Sequence, residues 1–120
     1  MSKKTLVLGA SPKPERFSNK AIRALVEYGH EVVAIGLRES EVGDIKIVQG
    51  FPPLSEIHTV TLYMNASNQK DYIEYIINLK PKRIIFNPGT WNEDLADLAD
   101  EAGIEVDADC TLVMLATDSY

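Results

Sequence analysis

Cysteine, long apolar runs and positive charge are all scarce in this chain. The one cysteine among its 120 residues excludes an internal disulfide and fits a reducing, cytoplasmic compartment. No apolar run approaches the roughly 18 residues that a membrane-spanning helix requires, so we expect no membrane partner. The net charge of −6 argues against nucleic-acid binding, because nucleic-acid-binding proteins neutralise phosphates with a surplus of Lys and Arg.

The basic residues that are present concentrate near the start of the chain. Residues 1–38 carry seven Lys and Arg against three Glu, whereas the remainder carries five basic and fifteen acidic residues. The acidic surplus is typical of solvated helix faces. The basic segment would attract an anion, so the charge distribution favours an anionic ligand bound close to the first elements of the fold.

Short apolar runs alternate with segments of helical periodicity along the whole chain. The runs lack polar alternation, which is typical of strands buried on both faces of a parallel sheet. The predicted strands are Thr5–Gly9, Glu31–Gly36, Ile45–Val48, Thr59–Met64, Arg83–Phe86 and Ile104–Val106. The predicted helices are one capped by Ser18, one from about Asn68 to Leu79 and one bearing Leu95, Leu98, Ala99 and Ala102, with Cys110–Ala116 either a helical turn or an edge segment.

This order of elements predicts one α/β domain spanning residues 1–120, with a Rossmann-like, mainly parallel sheet between helices. Ligands of such sheets lie outside the carboxyl ends of the strands. The segments that follow the predicted strands there are rich in small or polar residues, namely Gly9–Arg16, Gly36–Arg38, Met64–Ser67 and Phe86–Asn92. We therefore expect these segments to converge on one site.

The segment after the first strand has the features of a phosphate-binding loop. The residues Gly9-Ala10-Ser11 form a turn of small residues, and a proline-stiffened stretch then leads into a helix. Backbone N–H groups and the positive end of the helix dipole favour an anion at such a turn. Lys13 and Arg16 add mobile positive charge, so the loop predicts binding of a nucleotide phosphate.

The dinucleotide fingerprint is incomplete here. A nicotinamide or flavin site has the pattern G-x-G-x-x-G and an acidic residue after the second strand. This chain keeps only the first glycine, Gly9, and its second strand ends in Gly36-Leu37-Arg38. Arg38 suits an additional phosphate on the ribose, which is present both in NADP and, at the 3′ position, in coenzyme A.

The pattern G-A-S-P-K-P-E-R-F-S, followed by a helix that ends in Glu27-Tyr28-Gly29-His30, resembles the small stand-alone CoA-binding proteins of bacteria. These proteins are similar to the N-terminal CoA-binding domain of the succinyl-CoA synthetase α subunit. The resemblance extends over most of residues 4–112. Its further pieces are Met64-Asn65-Ala66-Ser67, Asn87-Pro88-Gly89, Asn92-Glu93, Glu101-Ala102-Gly103-Ile104 and Asp109-Cys110.

The resemblance implies that the loop after the first strand holds the phosphates of CoA, while the end of the second strand lines the adenosine site. The family commonly has an Asn-Pro-Lys-like segment after that strand, and in this chain Arg38 takes the place of its basic residue. The candidate binding residues are Gly9, Ala10, Ser11, Lys13, Arg16, Gly36, Arg38, Asn65, Ser67, Asn87, Pro88 and Gly89.

No catalytic group or metal site is predicted. His30 and His58 flank predicted elements, and the carboxylates around Cys110 are not the basic surroundings that activate a thiol. Trp91 either stacks on a ligand or covers the start of a helix. We therefore predict a non-catalytic module that binds CoA or acyl-CoA. The alternatives are a small NADP-dependent oxidoreductase and a ligand-free interaction module, and a homodimer or another protein partner remains open.

Overall fold

A seven-stranded sheet forms the centre of the molecule in the computed structural model, which describes residues 2–120. Its strands are β1 (Thr5–Ala10), β2 (Val32–Gly36), β3 (Ser40–Val42), β4 (Ile45–Val48), β5 (Thr59–Leu62), β6 (Arg83–Phe86) and β7 (Glu105–Ala108). They lie in the order β3-β4-β2-β1-β5-β6-β7. All neighbouring strands are parallel except β3 and β4, which pair antiparallel.

Helices cover both faces of this sheet. They are α1 (Phe17–Glu27), α2 (Ala66–Gln69), α3 (Ile73–Leu79), α4 (Glu93–Glu101) and α5 (Thr111–Ala116). Alternate residues of a strand point to opposite faces, so Leu6 and Leu8 join a core with α3 and α4 while Val7 joins a core with α1 and α5. The predicted Rossmann-like α/β architecture is confirmed.

The predicted strands are all present, with ends that shift by a residue or two. β6 has its predicted bounds, whereas β5 ends at Leu62 and β7 runs to Ala108. The sequence reading missed β3, although Gly43-Asp44 between Val42 and Ile45 is a recognisable two-residue hairpin loop. Because β3 is short and polar, its residues lack the apolar run on which the other predictions depend.

Two predictions about the helices were wrong in detail. Ser18 does not cap α1: the helix begins at Phe17, Arg16 is its N-cap, and Ser18 is buried in the first turn. The predicted helix over Asn68–Leu79 is divided, because a 3-10 turn at Lys70–Tyr72 separates α2 from α3. The segment Cys110–Ala116 is a helix, α5, with Cys110 at its N-cap.

The face of the sheet that packs against α1 and α5 becomes polar at the edge strand β7. Asp107 lies on this strand two positions after Glu105, so both side chains point to the same side. Burial, followed by the hydrogen bond and the charge of Glu105, raises the pKa of Asp107 to about 6. The positive charge of Arg83 lowers this pKa and offsets only part of the rise.

Asp107→Asn is expected to stabilise the protein at pH 7.5 and to have little effect near pH 4. A pKa raised in the folded state means that folding favours the protonated carboxyl, so this contribution is complete below about pH 4 and is lost as the pH rises through about 6. Urea unfolding at both pH values measures the difference. Asp100→Asn, at an exposed position of α4, is the matched control. An equal effect of Asp107→Asn at both pH values would contradict the prediction.

Candidate ligand-binding site at the carboxyl edge of the sheet

The four polar segments predicted to converge do lie at one edge of the sheet. They follow β2, β1, β5 and β6, which are consecutive parallel strands in the sheet and therefore end on the same side. Strand spacing of about 4.8 Å keeps all four within reach of one extended ligand. The chain leaves β1 toward β2 on one side and reaches β5 on the other, so the edge of β1 is the topological switch point.

The loop Ser11–Arg16 has a defined shape and exposes its basic side chains. The backbone N–H of Lys13 donates to the Ser11 Oγ at 3.2 Å, and the N–H of Arg16 donates to the carbonyl oxygen of Lys13 at 3.1 Å. Pro14 occupies the second position of this turn, where its fixed φ is favourable. The side chains of Lys13 and Arg16 are both exposed.

The loop leads into a helix whose first turn has no side-chain cap. Arg16 is the N-cap of α1 and makes no capping hydrogen bond through its side chain. The first turn also contains no acidic residue. The N–H groups of Phe17, Ser18 and Asn19 have no acceptor within the helix, and the positive end of the helix dipole lies at this turn. Ser18 and Asn19 are buried, so Phe17 carries the exposed N–H of the three.

Two side chains of α1, Asn19 and Arg23, hold this loop through hydrogen bonds. Neither was predicted as a site residue from the sequence. The Asn19 Nδ2 donates to the Ser11 carbonyl oxygen at 3.0 Å, and the Arg23 Nε donates to the Asn19 Oδ1 at 2.8 Å. The Arg23 Nη2 also donates to the Pro14 carbonyl oxygen at 3.0 Å. Asn19 is 3% exposed, although the apolar periodicity of the helix did not mark it as buried.

Gly9 and Gly36 allow backbone segments to pack closely around the loop. Gly9 has φ +97°, and a Cβ there would lie 2.8 Å from the carbonyl carbon of Tyr63. A Cβ on Gly36 would lie 2.4 Å from the Ala10 carbonyl oxygen. Ala10 itself is 8% exposed. The backbone that leaves β5 thus occupies the position that a Cβ of residue 9 would need. This packing requirement at Gly9 was not predicted from the sequence.

Arg38 extends from the neighbouring loop after β2. Its side chain is exposed, as is that of the preceding Leu37. The Gln49 Nε2 donates to the Leu37 carbonyl oxygen at 2.6 Å, which joins the loop after β2 to the loop after β4. This contact holds the backbone next to Arg38 in place.

On the other side of β1, Asn65 and Ser67 organise the start of α2. The Asn65 Oδ1 accepts hydrogen bonds from the Ser67 Oγ and from the backbone N–H of Asn68, both at 2.9 Å. Asn65 is thereby the N-cap of α2. Both side chains remain exposed at the carboxyl edge.

Gln69 joins the loops after β5 and β6, and the sequence reading missed it. Its side chain is fully buried. The Gln69 Nε2 donates to the carbonyl oxygens of Met64 at 2.9 Å and Thr90 at 2.7 Å, while its Oε1 accepts from the Asn92 Nδ2 at 3.1 Å. These bonds make a single wall of the two loops on this side of the site.

Asn87 is buried, whereas the two residues that follow it, Pro88 and Gly89, are exposed. The Asn87 Nδ2 donates to the Thr61 Oγ1 and to the Leu62 carbonyl oxygen, and its Oδ1 accepts from the Thr111 N–H at 2.9 Å. Its side chain is 3% exposed, so it ties β5, β6 and α5 together. Pro88 and Gly89 are exposed at the edge.

The side chains considered for catalysis do not gather at this edge. His30 precedes β2 and His58 precedes β5, which places both histidines at the opposite, amino edge of the sheet. Burial is the main cause that lowers the pKa of each. Cys110 follows β7, beyond the four central loops. Within residues 2–120, no group of three or more His, Cys, Asp or Glu side chains is placed to hold a metal ion.

Trp91 covers the beginning of α4 and also has a free surface. Its Nε1 donates to the Glu93 Oε2 at 2.9 Å, and its ring lies 5.0 Å from the Phe86 ring between centroids. About half of the residue, 49%, remains exposed.

The part of the chain that the structure describes includes no helix of the length and apolar character that crossing a membrane requires.

Comparison with known proteins identifies relatives of the whole domain. The CoA binding domain family matches residues 3–116. A crystal structure of an uncharacterized protein is 44% identical, with a TM-score of 0.97, over 100% of this chain and 99% of that chain. No curated protein matches.

Two further solved structures share the fold. A hypothetical protein from Pyrococcus horikoshii is 29% identical with a TM-score of 0.85, over 98% of this chain and 83% of that chain. A protein from Thermus thermophilus is 24% identical with a TM-score of 0.86, over 99% of this chain and 91% of that one. The family predicted from the sequence motifs is confirmed. Membership of this family supports CoA binding in general. The chain belongs to the CoA binding domain family.

Proposed function

We propose that this protein binds coenzyme A or an acyl-CoA without transforming it, through the loop that follows β1. The observation that carries the proposal is the combination of an uncapped first turn of α1 with the exposed basic side chains of Lys13 and Arg16 at the switch point. The N–H groups and cations together form a donor set suited to a pyrophosphate. The small residues Ala10 and Ser11 let the backbone of the loop approach it.

Arg38 is the residue that distinguishes among nucleotides. It follows β2, where a site for unphosphorylated ribose has an acidic side chain. A guanidinium at this position favours a ribose that carries a phosphate, such as the 3′-phosphate of CoA. The 2′-phosphate of NADP has the same charge, so Arg38 also favours the second candidate, an NADP-dependent oxidoreductase. Membership of the CoA binding domain family supports the first.

The remaining polar residues would line the rest of an extended ligand. Asn65, Ser67, Pro88 and Gly89 are exposed on the β5 and β6 side of the loop, opposite Arg38. A ligand with its phosphates at β1 and its adenosine toward β2 would direct its other arm toward these residues. Asn87 would contribute indirectly, because its side-chain donors are engaged with Thr61 and Leu62.

Parallel calorimetric titrations with CoA, dephospho-CoA, NADP and NAD test the proposal. We expect CoA to bind, and dephospho-CoA to bind more weakly because it lacks the 3′-phosphate. A preference for NADP would assign the protein to the oxidoreductase class instead. If none of the four ligands produced heat, the remaining function would be that of an interaction module, and the proposal would be wrong.

Lys13→Ala is expected to weaken CoA binding by about 1–3 kcal/mol, the range for a hydrogen bond to a charged group. The side chain is exposed beside the uncapped helix start, so its removal leaves the fold intact. Calorimetry on the variant measures the loss. Lys82→Ala is the matched control, because it removes an exposed lysine at the amino edge of the sheet. Equal dissociation constants for Lys13→Ala and the wild type would remove Lys13 from the site.

A further inference from the structure

The proposed phosphate loop is held by a chain of hydrogen bonds that begins two turns along α1. Arg23 is the outer member, with its Nε on the Asn19 Oδ1 at 2.8 Å and its Nη2 on the Pro14 carbonyl oxygen at 3.0 Å. Asn19 is the inner member, with its Nδ2 on the Ser11 carbonyl oxygen at 3.0 Å. The two side chains therefore fasten both ends of the segment Ser11–Pro14 to the helix.

From these contacts we infer that Asn19 and Arg23 are positioning residues, which fix the shape of the phosphate loop before the ligand arrives and do not touch the ligand. The inference rests on the proposed function. Asn19 is 3% exposed and lies beneath the loop. Arg23 is exposed, but its Nε and Nη2 donors already serve protein acceptors. These two bonds hold the guanidinium against Asn19 and the Pro14 carbonyl oxygen.

Fixing the loop in advance strengthens ligand binding, because an unfixed, exposed loop loses conformational freedom when it closes on a phosphate. Residues 12–16 are all exposed, so burial does little to order them. If the loop is already fixed, that entropy has been lost on folding and does not weaken ligand binding. The carbonyl oxygens of Ser11 and Pro14 already accept hydrogen bonds from side chains of α1, so the ends of this segment are held before any ligand binds.

The charge of Arg23 offers a competing explanation, which a set of variants separates from positioning. Lysine keeps the positive charge, yet its single ammonium on a flexible stem does not reproduce the planar fork that joins Asn19 to Pro14. We therefore expect Arg23→Lys and Arg23→Ala to weaken CoA binding alike, by about tenfold. Asn19→Ala should have a similar effect, and Asn19→Ala/Arg23→Ala should weaken binding by less than the product of the two single effects, because Arg23 holds Asn19 as well as Pro14. Lys82→Ala is the control for loss of a remote charge.

Backbone hydrogen exchange of the ligand-free protein supplies a readout that does not depend on CoA. We expect Arg23→Ala to accelerate exchange of the Lys13 and Arg16 amides about tenfold or more while leaving the Leu8 amide of β1 unchanged. Faster exchange throughout the molecule would indicate general destabilisation and would overturn the inference.

The two readouts also separate failure of this inference from failure of the proposed function. If the wild type binds CoA and Arg23→Lys binds it equally well, Arg23 acts through its charge and positioning is wrong. If the wild type binds CoA while loop exchange is unaffected by Arg23→Ala, positioning is likewise wrong. If the wild type does not bind CoA but the loop amides alone exchange faster in Arg23→Ala, the proposed ligand is wrong and the fastening of the loop is upheld.

Discussion

Replacing Gly9 by alanine is expected to lower the free energy of unfolding by about 3 kcal/mol or more, from the combined costs of backbone strain and overpacking. Gly9 has φ +97°, a backbone conformation that residues with a Cβ rarely adopt. The added Cβ would also lie 2.8 Å from the carbonyl carbon and 3.0 Å from the carbonyl oxygen of Tyr63. Both are backbone atoms, which cannot rotate away as the end of a flexible side chain would.

Gly29→Ala separates the two causes. Gly29 has a similar φ, +85°, after the end of α1, but no atom lies within 4 Å of the position of its Cβ. Its substitution should therefore cost about 1 kcal/mol, from conformation alone. Urea unfolding of the wild type and the two variants gives both values. Equal losses for Gly9→Ala and Gly29→Ala would mean that the approach of Tyr63 to β1 is not as close as the structure has it.

Gln69→Leu is expected to cost about 3 kcal/mol, since it leaves three polar groups, two buried and one partly buried, without these partners at about 1 kcal/mol each. Leucine has a similar volume, so the loss reports hydrogen bonds rather than a cavity. The groups affected are the carbonyl oxygens of Met64 and Thr90 and the Nδ2 of Asn92. Because Gln69 is fully buried, solvent does not replace these bonds without opening the two loops.

Thermal and urea unfolding measure the effect of Gln69→Leu, with Asn68→Ala as the neighbouring control. Asn68 lies on the same short helix but is exposed, so its substitution should change stability by no more than about 0.5 kcal/mol. We also expect Gln69→Leu to weaken CoA binding, because the loops after β5 and β6 would no longer form one wall. A Gln69→Leu protein as stable as Asn68→Ala would show that Gln69 does not join the loops.

The sequence was most informative where local pattern determines structure. The residues Arg83–Phe86 form an uninterrupted strand with its predicted bounds, and the alternation of such runs with helices predicts the parallel sheet. Parallel order in turn predicts which loops share an edge, so the convergence of the segments after β1, β2, β5 and β6 follows from topology alone. The polar hairpin strand Ser40–Val42 has no such pattern and was missed.

The contacts that shape the site were not predictable in the same way. Gln69 and Thr90 are 21 residues apart, and Asn87 and Thr61 are 26 apart. A buried polar side chain selects its partners from whatever the fold brings near it, and local periodicity contains no record of those partners. Asn19 illustrates this limit, because nothing in the local sequence indicates its hydrogen bond to the carbonyl oxygen of Ser11.

The most direct test of the central claim is to map CoA onto the protein by following backbone amide chemical shifts during a titration. If CoA binds through the loop after β1, the largest changes will occur at Arg38 and at the amides of residues 10–19, where Pro12 and Pro14 have none, on the carboxyl edge of the sheet. The amides of His58 and Lys82, at the amino edge, should stay unchanged. Changes concentrated at the amino edge, or no change at millimolar CoA, would contradict the account.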